Sequence, residues 1–216
     1  TTTRVGTRLN RRPGMAAAAK STPNGQAPYG ADVIARISHG MNVPSSVTEL
    51  QAAVVGTMNG ILDDLYREAG VTPQRTYEAV VVGNSTMLHL LLGVDPAPIG
   101  VMPFIPAFME PLTVPVREVG LHIHPHGYVQ TLPALGAYVG ADIVAGVLAT
   151  GVAREDKLRL LVDVRTNGEV VIGHDQRAPD TASPAVPAFP GTLRRRGAAA
   201  PAARGFTGPQ LDVNGF

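Results

Sequence analysis

The 216-residue chain contains no cysteine and no tryptophan, and only 16% of its residues are charged. Without cysteine it can form no disulfide and supplies no thiolate for catalysis, for zinc or for an iron–sulfur cluster. A formal net charge of +1 gives no general case for binding a polyanion. No apolar run is long enough to span a bilayer, and the first residues lack the apolar segment of a secretory signal. We therefore expect a cytoplasmic protein that binds neither nucleic acid nor membrane.

Helix and strand patterns alternate along the middle of the chain, which predicts an α/β fold. The clearest helix covers about 47–69, where apolar residues recur at helical spacing until Gly70. A β-branched run at 77–82 predicts a buried strand, which passes directly into a helix over 86–92. A helix rich in small residues is predicted over 136–150. The remaining short elements are a helix over 29–39 and a strand over 128–132.

Three segments carry weaker patterns. Residues 1–28 hold no acidic side chain and predict an irregular, partly strand-forming start. The Pro-rich segment 93–120 is typical of a long surface excursion. In segment 176–216, 20 of 41 residues are Ala, Pro or Gly, so we expect a low-complexity tail that is largely disordered.

Residues 158–173 (LRLLVDVRTNGEVVIG) predict a β-hairpin, because Asn167-Gly168 between two apolar runs is typical of a two-residue turn. Backbone N–H groups in such a loop can bind phosphate oxygens. Asp163, at the end of the first strand, can hold a hydrated metal ion. The hairpin therefore has the chemistry of a nucleotide site.

Two other positions allow both a structural and a functional interpretation. The N–H groups that follow Gly83-Asn84-Ser85 can bind an anion, or Asn84 or Ser85 can simply cap the helix. Asp142 can favour the start of its helix, or it can orient a water or metal opposite the hairpin. Asp142 is thus the one tentative catalytic residue.

The histidines favour structural roles. Three of them alternate and would share one face of a strand, where they could form a metal site. A proline interrupts that strand, however, and we favour a solvated loop or strand edge. His89 lies on an apolar helix face, which favours packing over catalysis. The three alternating histidines are His122, His124 and His126. No Walker A, G-x-G-x-x-G or G-x-S-x-G pattern is present.

Several separated segments occur in an order and spacing that point to one family. They are PYGADVIARI (28–37), VVVGNSTMLHLLLGVDP (80–96), PFIPAF (103–108), LP (132–133), YVGADIVAGVLATG (138–151) and VDVRTNGEVVIG (162–173). Together they resemble the reductive activators of corrinoid-dependent methyltransferases. These ferredoxin-like proteins carry an N-terminal [2Fe–2S] domain and a C-terminal actin-like ATPase domain.

The resemblance implies a ribonuclease H-like, actin-like ATPase fold. Residues 1–150 would form the first lobe, with 1–28 poorly matched, and 151–175 would open the second lobe with its phosphate-loop hairpin. Residues 176–216 would be the tail. In that family two hairpins, one per lobe, grip the nucleotide phosphates. The residues that the resemblance places there are Thr1, Thr2 and Thr3 at the end of the first hairpin, and Thr166, Asn167 and Gly168 in the second, with Asp163 holding Mg²⁺ through water.

The implied function is ATP-dependent reductive reactivation of a cobalt corrinoid protein of a methyltransferase system. ATP with Mg²⁺ would be the nucleotide cofactor, and the [2Fe–2S] cluster would lie in a domain upstream of Thr1. Arg165 stands where the family has glycine, and the second lobe stops early. We therefore expect a fragment with neither electron transfer nor robust ATPase activity by itself.

Two alternatives stay open. One is a kinase-like or acyl-phosphate-forming enzyme on the same fold. The other is a non-enzymatic interaction module that uses the 93–120 segment as its docking surface.

Overall fold

The computed structural model describes residues 3–10, 15–152, 159–164, 168–174 and 177–182. The strands are β1 (Thr3–Asn10), β2 (Met15–Pro23), β3 (Glu78–Val81), β4 (Thr113–Pro115), β5 (Tyr128–Thr131), β6 (Arg159–Val164), β7 (Gly168–His174) and β8 (Arg177–Ala182). The α-helices are α1 (Val33–Asn42), α2 (Ser46–Ala69), α3 (Ser85–Leu91), α4 (Ala97–Gly100), α5 (Val116–Val119) and α6 (Ala141–Thr150). Short 3-10 helices cover Ala27–Tyr29 and Pro73–Arg75.

The strands form three small sheets. β1 and β2 form an antiparallel hairpin, and the second sheet has the order β3-β5-β4. In that second sheet β3 and β5 are parallel, while β4 runs antiparallel to β5. The third sheet is an antiparallel meander in the order β6-β7-β8. A parallel pair with helices between its strands is the α/β arrangement that the sequence predicts.

Helix α2 is the element on which the first two sheets pack. Its Val54 belongs to a buried cluster that also contains Val129 of β5 and, at its margin, Val81 of β3. About two turns further along, Ile61 and Leu65 pack against Ala18 of β2. Burying a side chain of this size contributes roughly 1.5–3 kcal/mol, so a helix that buries several of them holds both sheets.

The local sequence explains where α2 stops. Gly70 adopts a left-handed conformation with φ of 62°, and its N–H donates to the carbonyl of Tyr66. Glycine takes this conformation without the steric cost that other residues incur. The prediction of a helix over 47–69 is therefore confirmed to within one residue.

The described parts of the weaker segments hold more regular structure than the sequence predicts. The strand-forming part of the predicted start is confirmed, because β1 and β2 form a hairpin in which Thr3 pairs with Pro23 and the register shifts between Arg8 and Leu9. The 93–120 segment is not simply a surface excursion, because β4 pairs with β5 and both Val116 and Val119 are buried. The prediction of a largely disordered tail needs one addition, because 177–182 forms β8 against β7. The rest of the predicted tail, 183–216, lies outside the described residues.

The strand predicted over 77–82 exists but is not buried on both faces. Ala79 and Val81 face α2, whereas Val80 is 59% exposed. A β-branched run shows only that both faces are apolar, and here one of them is open in the described part of the chain. Across the described ranges, no helix combines the length and apolarity needed to cross a bilayer.

Candidate functional site

The candidate site lies at the carboxyl ends of β3 and β5. Ends of parallel neighbours meet at the same edge of a sheet, and α/β proteins commonly bind ligands there. β3 passes through Gly83 and Asn84 into α3, and the chain after β5 leads to α6. The two connections touch, because the Asp142 N–H donates to the Gly83 carbonyl at 3.4 Å. The Ser85 hydroxyl also donates to the Gly136 carbonyl at 2.9 Å, so the starts of α3 and α6 are held together.

The start of α3 is capped by the side chain of the residue that precedes it, Asn84. The Asn84 side-chain oxygen accepts a hydrogen bond from the Met87 N–H at 3.0 Å, and Asn84 is extended, as an N-cap residue should be. The capping interpretation of Asn84 is therefore confirmed. Because the Ser85 hydroxyl donates to Gly136, both side chains have structural partners at this junction.

Gly140 allows the closest approach in the site. A Cβ atom there would lie 2.4 Å from the Asn84 Cα and 2.7 Å from the Gly83 carbonyl oxygen. Any side chain would therefore push the start of α6 away from the end of β3. Sequence reasoning missed Gly140, although a glycine directly before a helix that begins Ala-Asp is the signal that could have suggested it.

The β6–β7 hairpin packs on α6. Leu161 pairs with Val171, and both belong to the cluster around Ile143 of α6. Asp163 lies two residues beyond Leu161 and pairs in register with Glu169. Because side chains alternate along a strand, these two half-buried carboxyl groups share the face that carries Leu161.

The hairpin itself is confirmed, but its predicted two-residue turn is wrong. Gly168 already pairs with Val164 as the first residue of β7, so three residues, 165–167, connect the strands. Gly168 is buried. Hairpin register is set by the number of connecting residues, which an Asn-Gly pair alone does not fix.

The predicted site residues, including the tentative catalytic Asp142, fall into two groups. In the first group, Thr3 is the first residue of β1 and Gly168 is the first residue of β7. Asp163 lies on β6 of the hairpin, and Asp142 lies on α6, against which the hairpin packs. The others lie outside the described residues, so their roles stay predictions. They are Thr1, Thr2, Thr166 and Asn167, together with Arg165.

The donor groups present fit a hydrated Mg²⁺ better than a metal fully coordinated by protein. Within the described ranges, no three His, Asp or Glu side chains come close enough to hold a metal ion. Mg²⁺ that keeps its waters needs only one or two carboxylates plus phosphate oxygens. Asp163 and Glu169, paired in register across the hairpin, are two carboxylates of the kind that such an ion uses.

The three alternating histidines lie in a surface connection, as predicted. His122 lies 3.4 Å from the Asp63 carboxylate. The His124 ring stacks on Tyr77 with centroids 4.3 Å apart. They stand in the connection between α5 and β5, not along one strand face.

His89 is a fully buried structural residue. Its Nδ1 lies 2.8 Å from the Ser85 carbonyl, and its Nε2 accepts the Ala107 N–H at 2.9 Å. A carbonyl can only accept and an amide N–H can only donate, so the proton sits on Nδ1. The ring stacks on Phe108 with centroids 4.2 Å apart. His89 therefore joins the first turn of α3 to the 107–108 segment, which agrees with the predicted packing role.

Burial lowers the pKa of His89, and the hydrogen bond to Ser85 offsets part of that change. The unfolded chain, with an ordinary pKa of about 6.5, therefore takes up this proton before the folded chain does. Stability from neutral His89 is complete above that pH and is lost as the pH falls towards the lowered folded pKa. We expect the free energy of unfolding to fall by at most about 1.4 kcal/mol per pH unit in this window.

Urea unfolding between about pH 7.5 and about pH 5 measures this slope. The variant His89→Gln removes the titration and leaves the other histidines in place. Equal pH slopes for the wild type and His89→Gln would contradict the assignment.

Comparisons with known proteins agree on one family. A family model described as the RACo middle region matches residues 1–155. The corrinoid activation enzyme RamQ of Eubacterium limosum is 35% identical over 151 residues, which are 70% of this chain and 25% of that protein. A solved structure of a reductive activator for corrinoid, iron–sulfur protein matches with a TM-score of 0.82 and 38% identity, covering 91% of this chain and 31% of that one. The chain thus spans about a quarter to a third of the length of these relatives.

Proposed function

Because the chain belongs to the family of the RACo middle region, we propose that it is the nucleotide-facing part of an ATP-dependent reductive activator of corrinoid proteins. RamQ is a corrinoid activation enzyme and the matched structure is that of a reductive activator, and both similarities support a role in corrinoid activation. The partner would be the corrinoid protein of a methyltransferase system. On this proposal the described fold is one lobe of an actin-like ATPase, and β6 and β7 open the second lobe.

The observation that carries the proposal is the meeting of two helix starts at one edge of the sheet, with the hairpin packed on one of those helices. The starts of α3 and α6 touch through Gly83 and Gly140, and the hairpin with Asp163 packs on α6. The N-terminus of α6, which begins after Gly140 without a side-chain cap, has a partial positive charge that suits phosphate. The paired carboxyl groups at the end of the hairpin suit the metal that accompanies ATP.

Each residue has a defined task on this proposal. Mg²⁺, when bound with ATP, neutralises phosphate charge. Asp163 would hold the ion through its water shell, and Glu169 pairs with Asp163 across the hairpin. Gly168 and the predicted loop residues Thr166 and Asn167 offer N–H groups to phosphate oxygens. The N-terminal residues that would do so from the other side are Thr1, Thr2 and Thr3.

An iron–sulfur cluster does not fit these 216 residues. They contain no cysteine, and biological [2Fe–2S] clusters depend on cysteine thiolates. On the proposed function, electrons therefore enter from a part of the activator outside this sequence, and the described chain binds nucleotide and holds its neighbours in place.

Replacement of Asp163 by Asn is the test of the nucleotide site. We expect titration calorimetry to show MgATP binding by the 216-residue chain and at least a tenfold weaker affinity for Asp163→Asn, about 1.4 kcal/mol, because the change removes the charge that attracts the metal. The chain length is kept because the hairpin is part of the site.

Asp64→Asn is the matched control. Asp64 forms an exposed pair with Arg67 on α2, and such a pair contributes little. It should leave MgATP affinity unchanged. Absence of MgATP binding by the wild type, or equal affinities for wild type and Asp163→Asn, would overturn the proposed function.

A further inference from the structure

The connection after α4 exposes an unusual run of large apolar side chains. The exposed fractions are 45% for Val101, 82% for Met102, 39% for Phe104 and 60% for Ile105. We call these four residues the 101–105 patch. Residues 96–109 hold no charged side chain at all. Contiguous exposed apolar surface of this kind marks interaction sites.

Both ends of the segment are fixed to the protein. At the first end Ile99 is buried, and its carbonyl accepts the Tyr138 hydroxyl at 2.9 Å. At the other end the Ala107 N–H donates to the buried His89 ring. Burial raises the pKa of Tyr138, which keeps its hydroxyl protonated and able to donate. The patch is therefore held in place from both sides while its side chains point to solvent.

The backbone of the patch carries strain at Phe104. Its φ is 61°, a left-handed conformation that is costly for a bulky residue. The Phe104 N–H donates to the Val101 carbonyl at 2.6 Å, and its ring lies edge-on to Tyr138 with centroids 5.7 Å apart. Strained residues of this kind concentrate at ligand-binding and switch regions. Phe104 thus lies between the two most exposed side chains of the patch, Met102 and Ile105.

Helix α1 packs beside the start of the patch and exposes apolar side chains of its own. Gly100 lies against Ile37, because a Cβ at Gly100 would be 2.6 Å from the Ile37 Cγ2. Ile34 and Met41 are three and four residues from Ile37 and so lie on the same side of the helix. They are 54% and 55% exposed.

The charges around the patch indicate what it binds. No Lys or Arg occurs between residues 76 and 116. Asp95 and Glu110 flank the uncharged run, and both are exposed. Hydrogen bonds from the backbone N–H groups of Glu110 itself and of Met109 lower the pKa of the Glu110 carboxyl, which keeps it charged. An apolar centre with an acidic rim repels anionic lipid and nucleic acid and favours a protein surface of opposite charge.

We propose that the 101–105 patch is a docking surface for a protein whose apolar groove has a basic rim. This step rests on the proposed function in one respect: it takes that protein to be the corrinoid protein. Met102 and Ile105 are the side chains that enter the groove. Asp95 and Glu110 set the orientation of the partner.

The test measures binding of a purified corrinoid iron–sulfur protein by biolayer interferometry. The double variant Met102→Thr, Ile105→Thr should weaken binding by at least about tenfold, because central apolar anchors dominate interface energetics. Val80→Thr is the matched control, since Val80 is similarly exposed but lies on β3. It should change the affinity by less than about twofold.

A charge reversal tests the acidic rim separately. Glu110→Lys should lower the association rate, with a larger effect at low salt, whereas Glu118→Lys on α5 should not. Three results would each overturn the proposal: absence of binding by the wild type, equal weakening by Val80→Thr, or patch-dependent flotation with anionic vesicles.

MgATP titration of the double variant separates the docking proposal from the proposed nucleotide-binding function. Unchanged MgATP affinity with lost partner binding supports docking, while wild-type partner binding without MgATP binding removes only the proposed function.

Discussion

Gly140→Ala is expected to lower the free energy of unfolding by about 3 kcal/mol, the upper range for overpacking a well-packed site. The backbone at Gly140 is extended, with φ of −88°, so alanine could adopt it without strain. The loss of stability therefore comes from a steric clash alone. The new Cβ would meet the Asn84 Cα at 2.4 Å, and backbone atoms cannot move aside as the end of a side chain can.

Gly136→Ala provides the matched control for this effect. Gly136 lies in the same connection, and a Cβ there has no other atom within 4 Å. Its change should be neutral or slightly stabilising, because alanine has less freedom in the unfolded chain. Urea unfolding of both variants measures the difference. Equal stability of Gly140→Ala and Gly136→Ala would show that α3 and α6 do not meet as closely as described.

His89→Ala is expected to lower the free energy of unfolding by about 3–4 kcal/mol. The change removes a ring that is fully buried and stacked on Phe108, leaving a cavity. It also leaves the Ser85 carbonyl and the Ala107 N–H without the partners they have in the wild type. Unsatisfied buried polar groups add to the cost of a cavity. Unfolding in urea measures the loss, and limited proteolysis of the 101–108 segment should become faster.

His126→Ala is the control, since His126 is exposed and most surface substitutions change stability by less than about 0.5 kcal/mol. His89→Gln adds a second comparison, because glutamine keeps part of the volume and hydrogen-bonding capacity. It should be less destabilising than alanine. A loss below about 1 kcal/mol for His89→Ala would contradict the described role of the ring.

Local signals predicted the elements that local chemistry determines. Helix α2 was predictable because its apolar residues recur at helical spacing and a glycine ends it in a left-handed conformation. The cap at Asn84 was predictable because an Asn before a helix has one common use. The hairpin was predictable from two apolar runs around Asn-Gly, although its register was not.

Contacts between distant residues could not be predicted from such signals. The sequence of β2, with four consecutive alanines, has little intrinsic strand preference, and its strand depends on pairing with β1 and packing on α2. Gly140 and Asn84 are 56 positions apart, and nothing local shows that they meet. The 101–105 patch also needed the structure, because a Pro-rich run does not show which side chains are exposed.

Tyr138 connects the 101–105 patch with the candidate nucleotide site. Its hydroxyl and ring support the segment that carries the patch, and it lies two positions before Gly140, where α6 meets β3. When two ligands bias the position of one shared element, each changes the affinity for the other by the same factor. On the proposed function, the MgATP and corrinoid-protein affinities of this chain would then not be independent quantities. Each ligand has one dissociation constant for the free chain and one for the chain that already holds the other ligand, and these four constants form a closed cycle. If the partner binds the nucleotide-bound form more tightly by some factor, nucleotide must bind the partner-bound form more tightly by the same factor.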